Sequence, residues 1–300
     1  LRPAVSLLVL CFSSTVPAVH GQGATRQETV VIVGGQEPVA PIPTLLANSA
    51  VNRSVSDLLF LPLARLGPEN ITSGDKGFVP QLARSWTRRD SLTLVFEMDP
   101  RARWQDGTPV TARDAALAIN MARDPAVDAQ SALLLRLVAE ATATDDSHLV
   151  VRFTEPYDEQ LYDAVYHVYP LPAHLVDTIP RGALAKSAYA AAPVGNGPYR
   201  WTRRVPKQQL ELAAYDQFFL GKPGPRRVLY LTVGDAEARM NLLLSGDADV
   251  LAAPGTVSSV ARVTADKRVR VYPMPTTTVG YLSFNQRDPA NLEEPHPILS

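Results

Sequence analysis

The sequence has almost no cysteine and no excess of charge of either sign, and each absence excludes a class of protein. Cys11 is the single cysteine among 300 residues, so a disulfide framework within the chain and a thiolate metal cluster are both excluded. The net charge is −1 and the basic residues are scattered, whereas a nucleic-acid-binding protein is expected to carry a basic stripe. The remaining composition, 46% apolar and 20% charged, is that of a globular chain.

Long apolar runs are also absent, except for one at the start of the chain. Arg2 precedes the run from Ala4 to Val19, and small residues follow it, which is the pattern of a secretory signal peptide. The run is too short and too rich in Ser and Thr for a membrane span, which requires about 20 apolar residues. We therefore predict a signal peptide over residues 1–21 and a periplasmic or otherwise extracytoplasmic protein. A lipid anchor at Cys11 is not expected, because Leu8, Val9 and Leu10 precede it where such a site needs small residues.

The motifs of common hydrolases and nucleotide-binding proteins are missing as well. The sequence contains no Gly-x-Ser-x-Gly elbow, no His-Glu-x-x-His helix and no glycine-rich phosphate loop. Its five histidines are dispersed, and no third ligand accompanies His167 and His174 at the spacing of a metal site. We therefore predict no catalytic residue, no metal ligand and no cofactor. A secreted α/β hydrolase, with carboxylates that meet only in space, stays open as the alternative class.

Short strands alternate with helices along the chain, and this order predicts a mixed α/β fold. Alternating apolar residues between turn signals predict strands at Thr29–Val33, Leu92–Met98, His148–Phe153, Tyr199–Arg204, Gln209–Tyr215, Arg227–Val233, Ala248–Leu251, Val269–Tyr272 and Val279–Asn285. Helices are predicted from Ser54, where a capping box begins, over Ala112–Met121, within Ala129–Ala143, over Tyr157–Tyr166 and over Ala236–Leu244.

The segment from Leu92 to Asn120 has the most strongly determined local structure. Its turn at Asp106 and Gly107 is favoured because glycine accepts a positive φ without steric cost. Thr111 is a suitable N-cap, and Asp114 three residues later favours the start of a helix. Local chemistry is sufficient to explain these residues, so we predict a structural role for them and for Trp104, which should pack in the core.

Six segments of the chain, in the same order and at similar spacing, resemble one known family. They are Pro80–Trp86, Leu94–Asp114, Pro193–Tyr199, Tyr215–Pro223, Leu242–Val250 and Tyr281–Asn285. Together they resemble the solute-binding proteins that feed ATP-binding cassette importers, in the family (family 5) whose members carry oligopeptides, dipeptides and nickel. Asn196 stands where the turn of this family usually has threonine.

The resemblance implies a periplasmic-binding-protein-like fold with two lobes that close about a hinge. It implies a first lobe built from residues 28–50 and 170–277, with an inserted subdomain over residues 51–169. Residues 278–300 would begin the crossing strand and the second lobe. The chain is therefore expected to be an N-terminal fragment in which the second lobe is largely missing.

The resemblance also implies a function without catalysis. A monomer would capture a short peptide or similar small solute and deliver it to the membrane permease of the importer, with a nickel chelate or a sugar-type ligand as the alternative. Ligand contacts are expected where α/β sheets bind ligands, at strand ends that face the cleft. The candidates are Gly34, Gly35, Tyr169, Asn196, Tyr281 and Asn285. An ordinary turn role remains the alternative for the glycines and for Asn196.

Overall fold

The computed structural model describes residues 28–39, 42, 50–127, 129–251, 257–272, 287–288 and 291–295. The chain divides into two compact units, Leu1–Gly255 and Thr256–Ser300. The predicted signal peptide with Cys11, the predicted strand Val279–Asn285, and the candidate residues Tyr281 and Asn285 lie outside the described residues. No helix within the described ranges combines the length and the apolar character that a membrane span requires.

Strands and helices alternate as a mixed α/β fold requires. The strands of the described residues are β1 Thr29–Gly34, β2 Ala64–Leu66, β3 Phe78–Pro80, β4 Ala83–Asp90, β5 Thr93–Met98, β6 Val138–Ala143, β7 His148–Phe153, β8 Tyr199–Val205, β9 Gln209–Ala214, β10 Arg227–Thr232, β11 Val250–Leu251, β12 Arg287–Asp288 and β13 Asn291–Pro295. The helices are α1 Ala50–Leu59, α2 Ala112–Arg123, α3 Gln160–Tyr166, α4 Ala173–Val176, α5 Ala188–Ala191, α6 Ala236–Ser245 and α7 Val257–Ala265. The predicted fold class is confirmed.

A five-stranded sheet in the order β11-β1-β10-β9-β8 contains the first strand of the chain. β1 is parallel to both β10 and β11, and β9 is antiparallel to β10 and β8. Ile32 is in register with Tyr230 on one side and with Val250 on the other. Because side chains alternate along a strand, these three residues share one face of the sheet, and Leu212 and Val228 lie on it too.

A four-stranded antiparallel sheet in the order β4-β5-β7-β6 contains the strongly determined segment. Leu94 and Phe96 are fully buried in β5, in the alternation that the sequence predicts. The helix α2 contacts β6 and β7, and Asn120 Nδ2 donates a hydrogen bond to Ala141 O at 2.9 Å. Each fully buried large apolar side chain contributes about 1.5–3 kcal/mol, so this face forms a substantial part of the core.

The helix predicted within Ala129–Ala143 is wrong. Gln130–Ala132 forms a short 3₁₀ turn, and Val138–Ala143 is the strand β6, which pairs with β7. The alanine-rich composition favours a helix locally, but short isolated helices are weak in water. Pairing with the edge of β7 gives this segment backbone hydrogen bonds along one side and overrides the local preference.

Two smaller predictions are also wrong. The predicted start at Ser54 lies inside α1, which begins at Ala50. Val269–Tyr272 forms no strand, and instead Asp266 accepts hydrogen bonds from the backbone and side chain of Arg268 to make a turn. The predicted division into lobe and inserted subdomain stays a prediction.

Candidate functional site

β1 ends in two glycines that make room for side chains from elsewhere in the fold. A Cβ on Gly34 would lie 1.8 Å from the hydroxyl oxygen of Tyr230, and one on Gly35 would lie 2.9 Å from Nη1 of Arg239. No side chain other than hydrogen fits these positions unless the tyrosine or the arginine moves. The glycines therefore have an intramolecular explanation, and their contact with a ligand stays a prediction.

A cavity of about 440 Å³ lies between the sheet and α1, next to the two glycines. Its apolar walls come from the sheet on one side and from the helix on the other. They include Ile32, Leu212 and Val228 from the sheet and Val51, Val55 and Leu58 from α1. Sites for small molecules have this size and this largely apolar lining, with a few polar groups that fix orientation.

Polar groups of the cavity cluster at the carboxyl end of β1. They include Tyr230 of β10, Arg239 of α6, Gln36 and the backbone of Gly34 and Gly35, while Ser54 adds one polar residue to the wall that α1 forms. Arg239 is held in place because its Nη1 donates hydrogen bonds of 2.7 Å to the carbonyls of Val233 and Gly234. The carboxyl ends of parallel strands are the usual position of ligand sites in α/β sheets. The sequence predicted the two glycines here but neither Tyr230 nor Arg239.

Asn196 lies at a different place and binds the end of α1. Its side chain is fully buried, and its Oδ1 accepts a hydrogen bond from Leu61 N at 2.8 Å. The backbone N–H groups of Asn196 and Gly197 both donate to Leu59 O, at 3.0 and 2.8 Å. The two backbone bonds satisfy the carbonyl of Leu59, one of those that a helix end leaves without an intrahelical partner. Its contact with a ligand stays a prediction, and capping of α1 is what the geometry supports.

Gln105 fixes the same turn from the other side. Its backbone N–H donates to Gly195 O at 2.9 Å, and its Oε1 accepts from Gly195 N at 3.1 Å. Its Nε2 donates to Tyr199 O at 2.6 Å. The segment around Trp104 therefore positions the glycine-rich turn before β8, an arrangement that no local sequence signal predicts.

Tyr169 is buried beside α1, and its hydroxyl is used within the protein. It donates a hydrogen bond of 2.6 Å to Asp57 Oδ1, and Arg53 Nη1 lies 3.5 Å from the same hydroxyl. Burial, together with the charge of Asp57, raises the pKa of Tyr169 well above its ordinary value. The Arg53 guanidinium also lies over the ring of Tyr166, 4.9 Å from its centroid. Tyr169 does not line the cavity described above, and its role in binding stays a prediction.

The structural role predicted for Trp104 is supported by complete burial. Its Nε1 donates to Asp114 Oδ2 at 3.1 Å, and the same carboxylate accepts from Thr111 N and Ala173 N, each at 2.8 Å. Asp114 therefore joins the turn, the start of α2 and the start of α4. The sequence predicted its capping role but not the two other contacts.

The two histidines considered as metal ligands have other partners. His174 Nε2 lies 2.7 Å from Asp106 Oδ2 in the turn after Trp104. His167 packs edge-on against the rings of Tyr162 and Tyr166. In the part of the chain that the structure describes, no three His, Cys, Asp or Glu side chains are grouped so that they would hold a metal ion.

The fold is shared with solved periplasmic binding proteins. One is the crystal structure of NikZ from Campylobacter jejuni in complex with Ni(L-His), which superposes with a TM-score of 0.69 at 21% sequence identity. The match covers 81% of this chain and 46% of that one. At this level of identity the likeness shows the fold alone.

The model of the bacterial extracellular solute-binding proteins, family 5 (middle region), matches residues 77–298, so the chain belongs to this family. A Brucella ovis protein named as an ABC-transporter peptide-binding protein is 29% identical over 216 residues, covering 71% of this chain and 40% of the relative. An Escherichia coli protein named as a D,D-dipeptide-binding periplasmic protein is 26% identical over 290 residues, covering 93% of this chain and 53% of the relative. The chain thus spans about half the length of these relatives, or less.

Proposed function

We propose that this chain is part of the extracytoplasmic substrate-binding component of an ATP-binding cassette importer, and that it captures a short peptide or similar small solute. The observation that carries the proposal is the family match over residues 77–298. The names of the Brucella and Escherichia relatives, which refer to peptides and dipeptides, support the ligand class. The cavity beside Gly34 supports a ligand of small size.

The proposed mechanism is reversible binding with closure about a hinge. Ligand shifts the equilibrium towards the closed state because it makes additional contacts there, and the loaded protein then docks to a membrane permease. Capture and release break no covalent bond, so the proposal assigns no catalytic residue. Export through a signal peptide at residues 1–21 would place the protein outside the cytoplasm.

A second ligand class is favoured by a specific observation. NikZ, which shares the fold, was solved with Ni(L-His), so a nickel chelate is the alternative cargo. A chelate and a peptide differ in charge and in shape, and direct binding assays separate them.

The test is a thermal-shift assay of the purified protein with pools of di- to hexapeptides and with nickel–histidine. A ligand at 100 times its Kd adds about 2.7 kcal/mol of stability, which raises the Tm by several degrees. Mass spectrometry of the recovered peptides checks for turnover. Stabilisation by intact peptides supports the proposal, whereas peptide cleavage, or stabilisation by the nickel chelate alone, contradicts it.

A matched pair of variants locates the site. Val55→Phe adds a ring to a side chain that is 2% exposed and lines the cavity. Val79→Phe makes the same change at a position that is 44% exposed. Each variant is compared with itself with and without ligand, so a change in its own stability cancels. The ligand-induced shift should be lost in Val55→Phe and kept in Val79→Phe.

A further inference from the structure

The hydroxyl of Tyr230 borders the cavity and has no hydrogen-bond partner among the residues that the structure describes. The side chain is 6% exposed, it lines the cavity, and its hydroxyl lies over the Cα of Gly34. Burial raises the pKa of Tyr230 although Arg239 lowers it, so the hydroxyl keeps its proton at neutral pH. A hydroxyl on a cavity wall that has no partner within the protein is free to donate a hydrogen bond to a bound ligand.

Arg239, which lines the same cavity, has N–H donors in addition to those that the protein uses. Its Nη1 is used by the carbonyls of Val233 and Gly234, and none of the described carboxylates forms an ion pair with it. The guanidinium has five N–H donors in a fixed fork, and carboxylates match that fork with two parallel hydrogen bonds. Because two carbonyls already fix the orientation of Arg239, its remaining N–H groups are available for an anion without further ordering of the side chain.

The two polar groups lie together at one end of an apolar cavity. Tyr230 lies against Gly34 and Arg239 against Gly35, while aliphatic side chains such as Leu212 and Val228 line most of the remainder. A ligand that satisfies both ends has an anionic head that accepts hydrogen bonds and an aliphatic or aromatic body. A neutral polar ligand would leave the guanidinium without an anion and the aliphatic wall without an apolar partner.

We propose that this cavity is a subsite for a carboxylate, such as the carboxyl-terminal residue of a peptide, held by Arg239 and Tyr230 with its apolar side chain against the sheet and α1. The proposal rests on the proposed function, since it specifies which part of the solute this chain binds. Arg239 and Tyr230 are assigned as ligand-binding residues, and Gly34 and Gly35 as the residues that allow them to approach.

The test uses two probes of nearly the same shape, N-acetyl-leucine and N-acetyl-leucinamide. Their dissociation constants for the wild-type protein are measured by saturation-transfer NMR titration. A bidentate, charge-assisted contact should make the acid bind about tenfold more tightly than the amide. Equal affinity of the two probes overturns the proposal.

Three variants separate the subsite from a general effect of charge or folding. Arg239→Gln and Tyr230→Phe should each weaken binding of the acid about tenfold and leave binding of the amide nearly unchanged. Tyr230→Phe breaks no hydrogen bond within the described residues, so it tests the site even where Arg239→Gln disturbs the β10–α6 loop. The control Arg203→Gln removes an exposed guanidinium from β8 of the same sheet and should change nothing.

Failure of the proposed carboxylate subsite can be distinguished from failure of the proposed peptide-binding function. Peptides that stabilise the protein equally with free and amidated carboxyl ends, and equally in wild type and Tyr230→Phe, overturn the subsite while the proposed function stands. Acid binding that depends on Arg239 and Tyr230, with no peptide bound, supports the subsite and contradicts peptide as the cargo.

Discussion

Two groups of polar side chains in this protein differ in how many of their hydrogen bonds are made within the protein itself. The carboxylate of Asp114 is 3% exposed and accepts hydrogen bonds from Trp104, Thr111 and Ala173. The side chain of Tyr230 is 6% exposed and lines the cavity, and its hydroxyl has no partner within the described residues. The first group is centred on the segment from Leu92 to Asn120, and the second lies on β10 and α6.

This difference indicates that the first group stabilises the fold, and it supports the proposal that the second group binds the ligand. A buried polar network that is fully satisfied fixes the fold and has no hydrogen-bonding capacity left for a ligand. Donors on a cavity wall that have no partner within the protein keep their hydrogen-bonding capacity for a ligand. The segment around Trp104 therefore positions the starts of α2 and α4, whereas the proposed ligand site is formed by Tyr230 and Arg239, which belong to no sequence motif of their own.

The largest effect is expected for Asp114→Ala, which breaks the satisfied group. The change leaves three donors without their acceptor in a buried place, and it also removes the cap of α2. We expect the free energy of unfolding to fall by about 3–5 kcal/mol. Urea denaturation followed by circular dichroism measures the change.

The matched control is Asp146→Ala, at an exposed carboxylate in the turn before β7. Surface substitutions of this kind change the unfolding free energy by about 0.5 kcal/mol or less. If Asp114→Ala costs no more than the control, the network around Trp104 does not stabilise the fold and the contrast between the two regions fails.

A smaller loss of stability is expected for Asn196→Ala. This variant tests whether Asn196 belongs to the structural group or to the ligand-binding group. Its Oδ1 accepts from Leu61 N in a fully buried position, so its loss should cost about 1–3 kcal/mol of stability. Ligand affinity should change little. Thermal unfolding and the peptide titration are measured on the same preparation.

Asn241→Ala is the control, since Asn241 is exposed on α6 and alanine is the better helix former. The control should leave stability unchanged or raise it slightly. Unchanged stability together with a large loss of affinity in Asn196→Ala would make Asn196 a ligand contact and move it to the second group.

What the sequence predicts well is local. Thr111 and Asp114 lie three residues apart and begin α2 as expected, and the predicted helix Ala236–Leu244 appears as α6, Ala236–Ser245. The alternation in β5 likewise appears as alternating burial. In each case the residues that determine the geometry are neighbours in the chain, so the physical cause is visible in a short window.

What it predicts poorly depends on partners far along the chain. Asn196 accepts from a backbone group 135 residues away, and Gly34 is required by a tyrosine on β10. The strand β6 forms because β7 offers it an edge, although its own composition favours a helix. Tyr230 and Arg239 carry no local signal, because an unsatisfied donor is recognised only when its surroundings are known.

The smallest effect concerns pH and the contact between α1 and α3. Burial, with a further contribution from the charge of Arg53, lowers the pKa of His167 to about 4, from an ordinary value of 6.5. The folded state therefore binds a proton less readily than the unfolded state. The contribution of neutral His167 to stability is complete above pH 6.5 and is lost progressively as the pH falls towards 4. Partial exposure screens the charge, so we expect a loss of about 1–2 kcal/mol.

The unfolding free energy at pH 7.5 and pH 4.5 should therefore differ less in His167→Gln than in the wild type. Asp163, 3.7 Å from the imidazole, acts in the opposite sense, because burial raises its pKa and the folded state gains a proton there as the pH falls. The variant retains Asp163 and Arg53, so the difference between the two curves isolates the histidine. His148→Gln, at an imidazole that is 44% exposed, serves as the control. Identical pH dependence in wild type and His167→Gln would contradict this prediction. It would mean that α1 and α3 do not shield the imidazole of His167 from water.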